Sequence, residues 1–216
     1  MKKKLVIFDL DGTLINSLED LALSVNTLLE HYQLPQHPIE NYKYFVGNGV
    51  TNLIERALPK QFCEKEFIEM FREEFKKHYF AHQFDHTKPY IGIIELLETL
   101  VQSNIKVAIA SNKPHEATLM ISKRLFPTIP FVSVLGQREG IPTKPDPTII
   151  LDILNQEKNN RSEVLYVGDS GVDIETAQRA QVESIGVLWG YRTKEELLAN
   201  GCTNFIKTPS ELIKHT

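Results

Sequence analysis

Cysteine is scarce in this chain of 216 residues, which contains only Cys63 and Cys202. Two isolated cysteines provide neither a disulfide framework nor a cysteine-rich zinc site. We therefore expect a cytoplasmic protein whose thiols are reduced.

Long apolar runs and an excess of positive charge are also missing. No stretch approaches the roughly 20 apolar residues that span a bilayer. The N-terminal lysines precede an apolar run that Asp9 soon interrupts, so a secretory signal is not predicted. The net charge of −4 argues against nucleic acid and anionic membranes as partners. Hydrophobic and charged contents of 42% and 24% are typical of a globular protein.

A pair of carboxylates directly follows the first apolar run. Residues 5–8 show no polar alternation, which predicts a strand buried on both faces of a parallel sheet. Asp9 and Asp11 come next, and side chains two residues apart in a strand point to the same side. Two such carboxylates repel each other unless a cation or a proton lies between them. The alternative interpretation is a turn that uses aspartate and glycine for its geometry alone.

The rest of the chain divides into a helical part and an alternating part. Apolar residues recur at helical spacing from about residue 16 to 85, without a strand pattern. Beyond Pro89, helices alternate with predicted strands at 105–110, 131–135, 164–167, 183–188 and 205–206. This alternation predicts a doubly wound, parallel α/β core covered by helices on both faces. We assign residues 1–15 and 88–216 to this Rossmann-like core, and residues 16–87 to an inserted all-α cap domain.

Three further polar motifs follow predicted strands of the core. Ser111 and Asn112 close the strand at 105–110, Lys144 opens a Lys-Pro-Asp-Pro loop, and Asp169 follows the strand at 164–167. Each has an ordinary alternative, namely a helix cap for the serine and the aspartate and a solvated loop position for the lysine. Ligands bind at the carboxyl ends of the strands in open α/β sheets. We therefore expect the motifs to meet in one cleft.

Taken in order, these motifs resemble the signature of the haloacid dehalogenase superfamily of phosphotransferases. The resemblance begins with Asp-Leu-Asp-Gly-Thr-Leu at residues 9–14 and covers nearly the whole chain, including the α-helical cap. It implies that Asp9 is a nucleophile that forms an aspartyl-phosphate. It also implies that Asp11 is the general acid and base, protonating the leaving oxygen and then activating water.

The same resemblance implies the remaining members of the site. Lys144 would neutralise the phosphoryl group and Asp9. Mg²⁺, which prefers oxygen ligands, would be the cofactor, and Asp173 would either support the metal or orient Lys144. The implied phosphate-binding residues are Ser111, Asn112 and Lys144, and the implied metal-site residues are Asp9, Asp11, Asp169 and Asp173.

Substrate choice is expected to come from the cap, because the core site contacts only phosphate and metal. Residues 45–58, with Gly47-Asn48-Gly49, and the Trp-Gly-Tyr at 189–191 resemble bacterial phosphoglycolate phosphatases. The resemblance implies a Mg²⁺-dependent phosphatase for a small phosphorylated metabolite, 2-phosphoglycolate first. Asn48 and Arg56 are candidates for binding its carboxylate, although Arg56 could instead pair with Glu55 or face solvent.

Other functions remain open at this stage. Within the superfamily, the alternatives are an inorganic pyrophosphatase and a broad-specificity sugar or nucleotide phosphatase. Outside it, they are a phosphate-binding protein and a phospho-accepting module without turnover, although a receiver domain would lack a cap of this size. His78, His82 and His86 form a helical stripe that could hold a metal, but a partly exposed helix face is the simpler interpretation. Both a monomer and a homodimer remain possible.

Overall fold

A six-stranded parallel sheet forms the centre of the protein, a computed structural model in which residues 2–216 are described. The sheet order within that range is β5-β4-β1-β6-β7-β8, so β1 is central, between β4 and β6. The fold class predicted from the sequence is confirmed. The strands are β1 Leu5–Phe8, β2 Ile15–Asn16, β3 Lys88–Pro89, β4 Lys106–Pro114, β5 Ser133–Gln137, β6 Val164–Gly168, β7 Glu183–Val187 and β8 Phe205–Ile206.

Helices cover both faces of this sheet, and β1 shows why its sequence is apolar throughout. Val6 and Phe8 pack into the hydrophobic cluster of the helices at 93–102 and 115–125, whereas Leu5 and Ile7 pack into that of the helices at 148–157 and 171–180. A strand with period-two side chains needs apolar residues at every position when both faces are covered. The helices of the core are α5 Ile93–Gln102, α6 His115–Leu125, α7 Thr148–Glu157, α8 Gly171–Ala180 and α9 Lys194–Ala199.

The segment between β2 and β3 is helical and has a hydrophobic core of its own. Leu29, Ile54 and Phe71 are fully buried in this second core, and Phe75 is 1% exposed. The helices of this segment, the cap, are α1 Leu18–His31, α2 Tyr42–Phe45, α3 Gly49–Ala57 and α4 Lys65–His82.

The two chain crossings between cap and core are paired with each other. β2 and β3 form a short antiparallel ladder in which Ile15 is opposite Pro89 and Asn16 is opposite Lys88. The sequence pattern does not predict this ladder, because two residues are too few to show a strand period. The predicted domain limits, 15/16 and 87/88, fall on this ladder and remain a prediction.

Two strands differ from their predicted limits by two residues or more, and the difference in β4 affects the site. β4 continues to Pro114, four residues beyond the predicted end, with a register shift between Ala110 and Pro114. Ser111 and its neighbours are therefore strand residues. β5 begins at Ser133, two residues later than predicted. Among the described residues, no helix combines the length and the apolar character that crossing a membrane requires.

Candidate active site

Asp9 lies at the carboxyl end of β1, in the centre of the sheet. Its backbone N–H donates to the carbonyl of Val167, 2.9 Å away, which continues the pairing of β1 with β6. Oδ1 of Asp9 is 2.8 Å from Nζ of Lys144, and the side chain is buried. Burial and then the charge of Asp173 raise the pKa of Asp9 to about 7, although Lys144 opposes the shift. The carboxylate is therefore costly to ionise without further positive charge.

Lys144 is the buried cation of the site, at 4% exposure. Besides Asp9, its Nζ lies 2.7 Å from Oδ1 of Asp173, 3.0 Å from the hydroxyl of Tyr166 and 3.1 Å from the carbonyl of Ala110. Burial by itself would lower the pKa of Lys144, but the charges of Asp173 and Asp9 hold it well above its usual range. The side chain is thus a fixed ammonium beside Asp9.

The residues for a cation are present next to this lysine. Within residues 2–216, Asp9, Asp169 and Asp173 are the group whose carboxylate oxygens come within 4.8 Å of one another. Burial, then Asp173 and Asp9, raises the pKa of Asp169 well above its ordinary value. Two of the three buried carboxylates, Asp9 and Asp173, contact the ammonium of Lys144 and the third does not. This excess of negative charge and hard oxygen ligands fits a divalent cation such as Mg²⁺.

The carboxylates of Asp173 and Asp169 have different hydrogen-bond partners, which indicate different roles. Asp173 has both oxygens engaged, Oδ1 by Lys144 and Oδ2 by the N–H and hydroxyl of Ser170 at 3.1 and 2.6 Å. Asp169 accepts from the N–H of Tyr191 at 2.8 Å and from the hydroxyl of Thr13 at 3.3 Å. Asp173 is thus placed to orient Lys144, the second of its two roles considered from the sequence.

Two glycines leave the space that Asp169 occupies. A Cβ on Gly12, whose φ is +91°, would lie 2.3 Å from Oδ2 of Asp169. A Cβ on Gly190 would lie 2.2 Å from Cβ of Asp169. The Gly190 neighbours Trp189 and Tyr191 also contact the site, since Trp189 donates to the carbonyl of Thr13 at 3.0 Å. The Trp-Gly-Tyr segment therefore shapes the pocket around the carboxylate.

Asp11 has a cationic partner that the sequence reasoning missed. Nζ of Lys113 lies 3.0 and 3.2 Å from the two oxygens of Asp11, and the hydroxyl of Ser17 donates to Oδ1 at 2.5 Å. The Lys113 side chain is 4% exposed. Period-two alternation along a longer β4 would have placed Lys113 on the side of Ser111, but the predicted strand ended too early to show this.

Ser111 and Asn112 occupy different positions in the site. Ser111 is buried, and its Oγ accepts from the N–H of Lys113 at 3.1 Å. Asn112 donates from Nδ2 to the carbonyls of Gly47 and Lys144, both at 3.0 Å, and accepts from the N–H of Lys144 at 2.8 Å. Its amide thus fastens the Lys144 loop to the core and to the cap. Contact of Asn112 with phosphate remains a prediction.

The side chains of the cap candidates are not part of the cavity lining, although Gly47 and Gly49, on either side of Asn48, are. Arg56 is exposed and donates through Nη1 to the carbonyls of Tyr44 and Phe45, at 3.1 and 3.0 Å. Neither Arg56 nor Asn48 is among the described residues that line the cavity. Carboxylate binding by these two residues remains a prediction.

The histidine stripe consists of separate contacts. His78 meets the hydroxyl of Ser24 at 3.1 Å, and His82 meets Asp85 at 2.9 Å. The rings of His78 and His82 stack with their centroids 4.5 Å apart. The three histidines are not in the cluster of potential metal ligands found within residues 2–216, and the exposed-face interpretation of the stripe remains a prediction.

A cavity of about 510 Å³ lies between cap and core and contains the polar groups described above. Its core wall includes Asp9, Asp11, Ser111 and Lys113, and its cap wall is largely apolar. Leu21, Val46, Leu53, Phe75 and Tyr79 belong to this cap wall.

A parallel α/β sheet that carries clustered aspartates and a buried lysine beneath a helical cap defines a hydrolase of the phosphoryl-transfer class. The model of the haloacid dehalogenase-like hydrolase family matches residues 6–187, and the chain belongs to that family. It is 34% identical to the phosphoglycolate phosphatase of Aquifex aeolicus (strain VF5) over 211 residues, which are 98% of this chain and 95% of that protein. It is also 34% identical over 195 residues to the phosphoglycolate phosphatase of Mannheimia succiniciproducens, 87% of either chain.

Solved structures agree with this assignment. A crystal structure from Lactobacillus delbrueckii subsp. bulgaricus superposes with a TM-score of 0.93 at 30% identity, covering 100% of this chain and 98% of the other. A predicted phosphoglycolate phosphatase of Haemophilus somnus 129pt gives 0.92 at 27% identity, with the same coverage. The protein is a phosphatase, a phosphoric monoester hydrolase of the haloacid dehalogenase-like family.

Proposed function

We propose that this phosphatase depends on Mg²⁺ and hydrolyses a small phosphate monoester, 2-phosphoglycolate first, through an aspartyl-phosphate on Asp9. The observation that carries the proposal is the contact of Asp9 with the buried ammonium of Lys144, 2.8 Å away, inside a cluster of three buried carboxylates. An anionic nucleophile beside a fixed cation is suited to meeting an anionic phosphoryl group.

The chemistry follows from where the side chains lie. In the first step an oxygen of Asp9 bonds to phosphorus, and the bond to the ester oxygen breaks as that oxygen takes a proton from Asp11. Water then attacks the acyl phosphate and gives a proton to Asp11, which releases inorganic phosphate and restores Asp9. Lys113 contacts both oxygens of Asp11 in the substrate-free structure, so one of these two contacts must be released before that oxygen can protonate the leaving oxygen.

Lys144 and Asp173 act as one unit in this scheme. Asp173 fixes Nζ of Lys144 at 2.7 Å, which leaves the ammonium facing Asp9. The fixed charge then lies where negative charge collects on the phosphoryl oxygens, without reorganisation during the step. Ser111 lines the cavity, and we assign its hydroxyl as a hydrogen-bond donor to the same oxygens.

Asp9 and Asp169, with the backbone carbonyl of Asp11, would hold the metal. The metal would supply positive charge to the phosphoryl oxygens when bound. The oxygens of Asp173 are already engaged by Lys144 and Ser170, so we assign Asp173 to Lys144.

The proposed substrate is supported by the relatives, which are named phosphoglycolate phosphatases. A cavity of about 510 Å³ above Asp9 also admits larger esters, so sugar phosphates, nucleotides and pyrophosphate belong in the test. The experiment is phosphate release from 2-phosphoglycolate, pyrophosphate, sugar phosphates and nucleotides, with Mg²⁺ and with EDTA.

Two variants separate chemistry from folding in this assay. Asp9→Asn removes the nucleophile and should abolish turnover on every ester. Glu175→Gln removes a carboxylate that pairs with Arg179 on the surface, at 41% exposure, and should leave turnover unchanged. Preference for pyrophosphate or a sugar phosphate would retain the mechanism and reject the substrate. Binding without Asp9-dependent turnover would instead indicate a phosphate-binding protein.

A further inference from the structure

Lys113 is a buried cation whose position suits a substrate group beyond the phosphate. Its side chain is 4% exposed, lines the cavity, and lies with Nζ 4.7 Å from the ring centroid of Tyr79 on the cap. We propose that Lys113, assisted by the Tyr79 hydroxyl, selects phosphate esters with a carboxylate on the carbon that bears the ester oxygen. This inference rests on the proposed function, because it concerns the leaving group of the same reaction.

The ammonium of Lys113 has more N–H donors than its contacts with Asp11 require. It carries three N–H groups and no acceptor. Asp11 engages it through two oxygens, at 3.0 and 3.2 Å, and the Tyr79 ring covers one side. At least one N–H can therefore be given to a ligand in the cavity without breaking the contact with Asp11.

The location of Lys113 fixes which part of a substrate it can reach. If Asp11 protonates the leaving oxygen, that oxygen lies within hydrogen-bond distance of Asp11. Nζ of Lys113 contacts the same carboxylate, so the atoms bonded to the leaving oxygen come next to the ammonium. A carboxylate attached one carbon from the ester oxygen meets Lys113, whereas a charge at the far end of a sugar chain does not.

Tyr79 contributes a second donor from the cap. Its hydroxyl oxygen is buried near the ammonium of Lys113, and its proton goes to no acceptor within residues 2–216. Burial raises the pKa of Tyr79 to about 12, so the hydroxyl keeps its proton at neutral pH. Buried hydroxyls in folded proteins ordinarily have a partner. A small turn of the side chain about its Cα–Cβ bond towards a bound carboxylate would provide one, and would join the cap helix α4 to the substrate.

The remaining cap wall offers no competing charge at this depth. Leu21, Leu53 and Phe75 are apolar. Lys76 lines the cavity too, but its side chain is 43% exposed and pairs with Glu73 at 2.5 Å. Lys76 is therefore a matched control: a lysine of the same cavity, at its solvent-exposed rim.

The test compares two esters of the same length, 2-phosphoglycolate and 2-hydroxyethyl phosphate, which differ only in carboxylate against hydroxymethyl. We measure kcat/KM for both with wild type, Lys113→Met, Lys113→Arg, Tyr79→Phe and Lys76→Met. Wild type should favour the acid. Lys113→Met should reduce that preference by about 10- to 100-fold, the loss expected for a hydrogen bond to a charged group. Lys113→Arg should restore most of it, Tyr79→Phe should reduce it by a few-fold, and Lys76→Met should not change it.

Equal losses on both esters in Lys113→Met would show that Lys113 serves only Asp11, and would overturn the inference. A preference of the wild-type enzyme for 2-hydroxyethyl phosphate would overturn the inference as well. A second measurement does not depend on turnover: the Kd values of the two esters for Asp9→Asn, with and without Lys113→Met. If Lys113→Met does not change the ratio of the Kd values of the two esters, the inference is rejected even if the enzyme turns over. Absence of turnover by wild type rejects the proposed function separately.

Discussion

Replacement of Lys144 by methionine tests whether buried charge balance controls the stability of this site. Methionine keeps much of the volume of lysine and removes only the ammonium. In the wild-type protein that ammonium lies 2.8 Å from Asp9 and 2.7 Å from Asp173. Lys144→Met therefore leaves both carboxylates, with Asp169 beside them, buried without a cation in metal-free protein.

The expected loss of stability in Lys144→Met follows from the burial of the ion pair. Removing one partner of a buried ion pair destabilises a protein by about 3–5 kcal/mol, because the other charge is left uncompensated. For a chain of this length 1 kcal/mol shifts Tm by about 2–4 °C, so Tm should fall by about 6–20 °C. The matched control is Lys43→Met, which removes a lysine that is 37% exposed and 2.6 Å from Glu40, itself 75% exposed. A surface pair of this kind contributes about 0–1 kcal/mol.

The stability loss in Lys144→Met should depend on pH. The pKa of Asp9 is about 7 in the folded protein, above its ordinary value of 3.8. A carboxyl group with a raised pKa binds its proton more tightly when folded, so stability falls as the pH rises from about 3.8 to about 7. Without Lys144 the pKa of Asp9 rises further. The loss in Lys144→Met should therefore be larger at pH 8 than at pH 5.5.

The assay is urea and thermal unfolding in EDTA at both pH values, followed by circular dichroism. Addition of Asp173→Asn to Lys144→Met removes one of the stranded carboxylates and should recover part of the loss at pH 8. A loss below about 1 kcal/mol at pH 8, within the range of the surface control, would refute the reasoning. An equal loss at both pH values would show that the missing ammonium acts through packing alone.

Two further changes test the closure of the cap and the packing of the metal site. Arg192 donates to three backbone carbonyls at the end of α2. In steady-state kinetics, Arg192→Ala should raise KM several-fold with a smaller change in kcat. Replacement of the exposed Arg179 by alanine should change neither KM nor kcat. Unchanged KM would show that this contact does not hold the cap. Gly190→Ala places a Cβ 2.2 Å from that of Asp169, so it should weaken Mg²⁺ binding by at least tenfold in a calorimetric titration. Wild-type affinity would mean that the loop moves aside freely.

Much of the fold could be predicted from local pattern. The uninterrupted apolar run of β1 indicated a strand covered on both faces, and the alternation after Pro89 indicated a parallel sheet. Both predictions are confirmed by the sheet order and by the two hydrophobic clusters on either side of β1. The end of β4 and the ladder of β2 with β3 could not be predicted, because an irregular strand end and two-residue strands show no period.

The candidate site also has a part that the sequence predicts and a part that it does not. The order of Asp9, Ser111, Lys144 and Asp169 behind successive strands follows from the sequence, since parallel strands end at one edge of the sheet. The pairing of Lys113 with Asp11 does not, because the two residues are 102 positions apart and meet only when β4 lies beside β1. No local pattern specifies a partner at such a separation.

The sequence by itself determined which residue types stand at the ends of the strands, and with them the class of chemistry. Only the tertiary structure decided how these groups share their charges. It turned Asp173 towards Lys144, and it turned Asn112 towards the backbone of the cap and of the Lys144 loop. It also directed Arg56 to the end of α2 instead of the cleft. The reason is physical: strand and helix periods are set by neighbours along the chain, whereas a buried charge is matched by whichever groups the packed elements bring within a few ångströms.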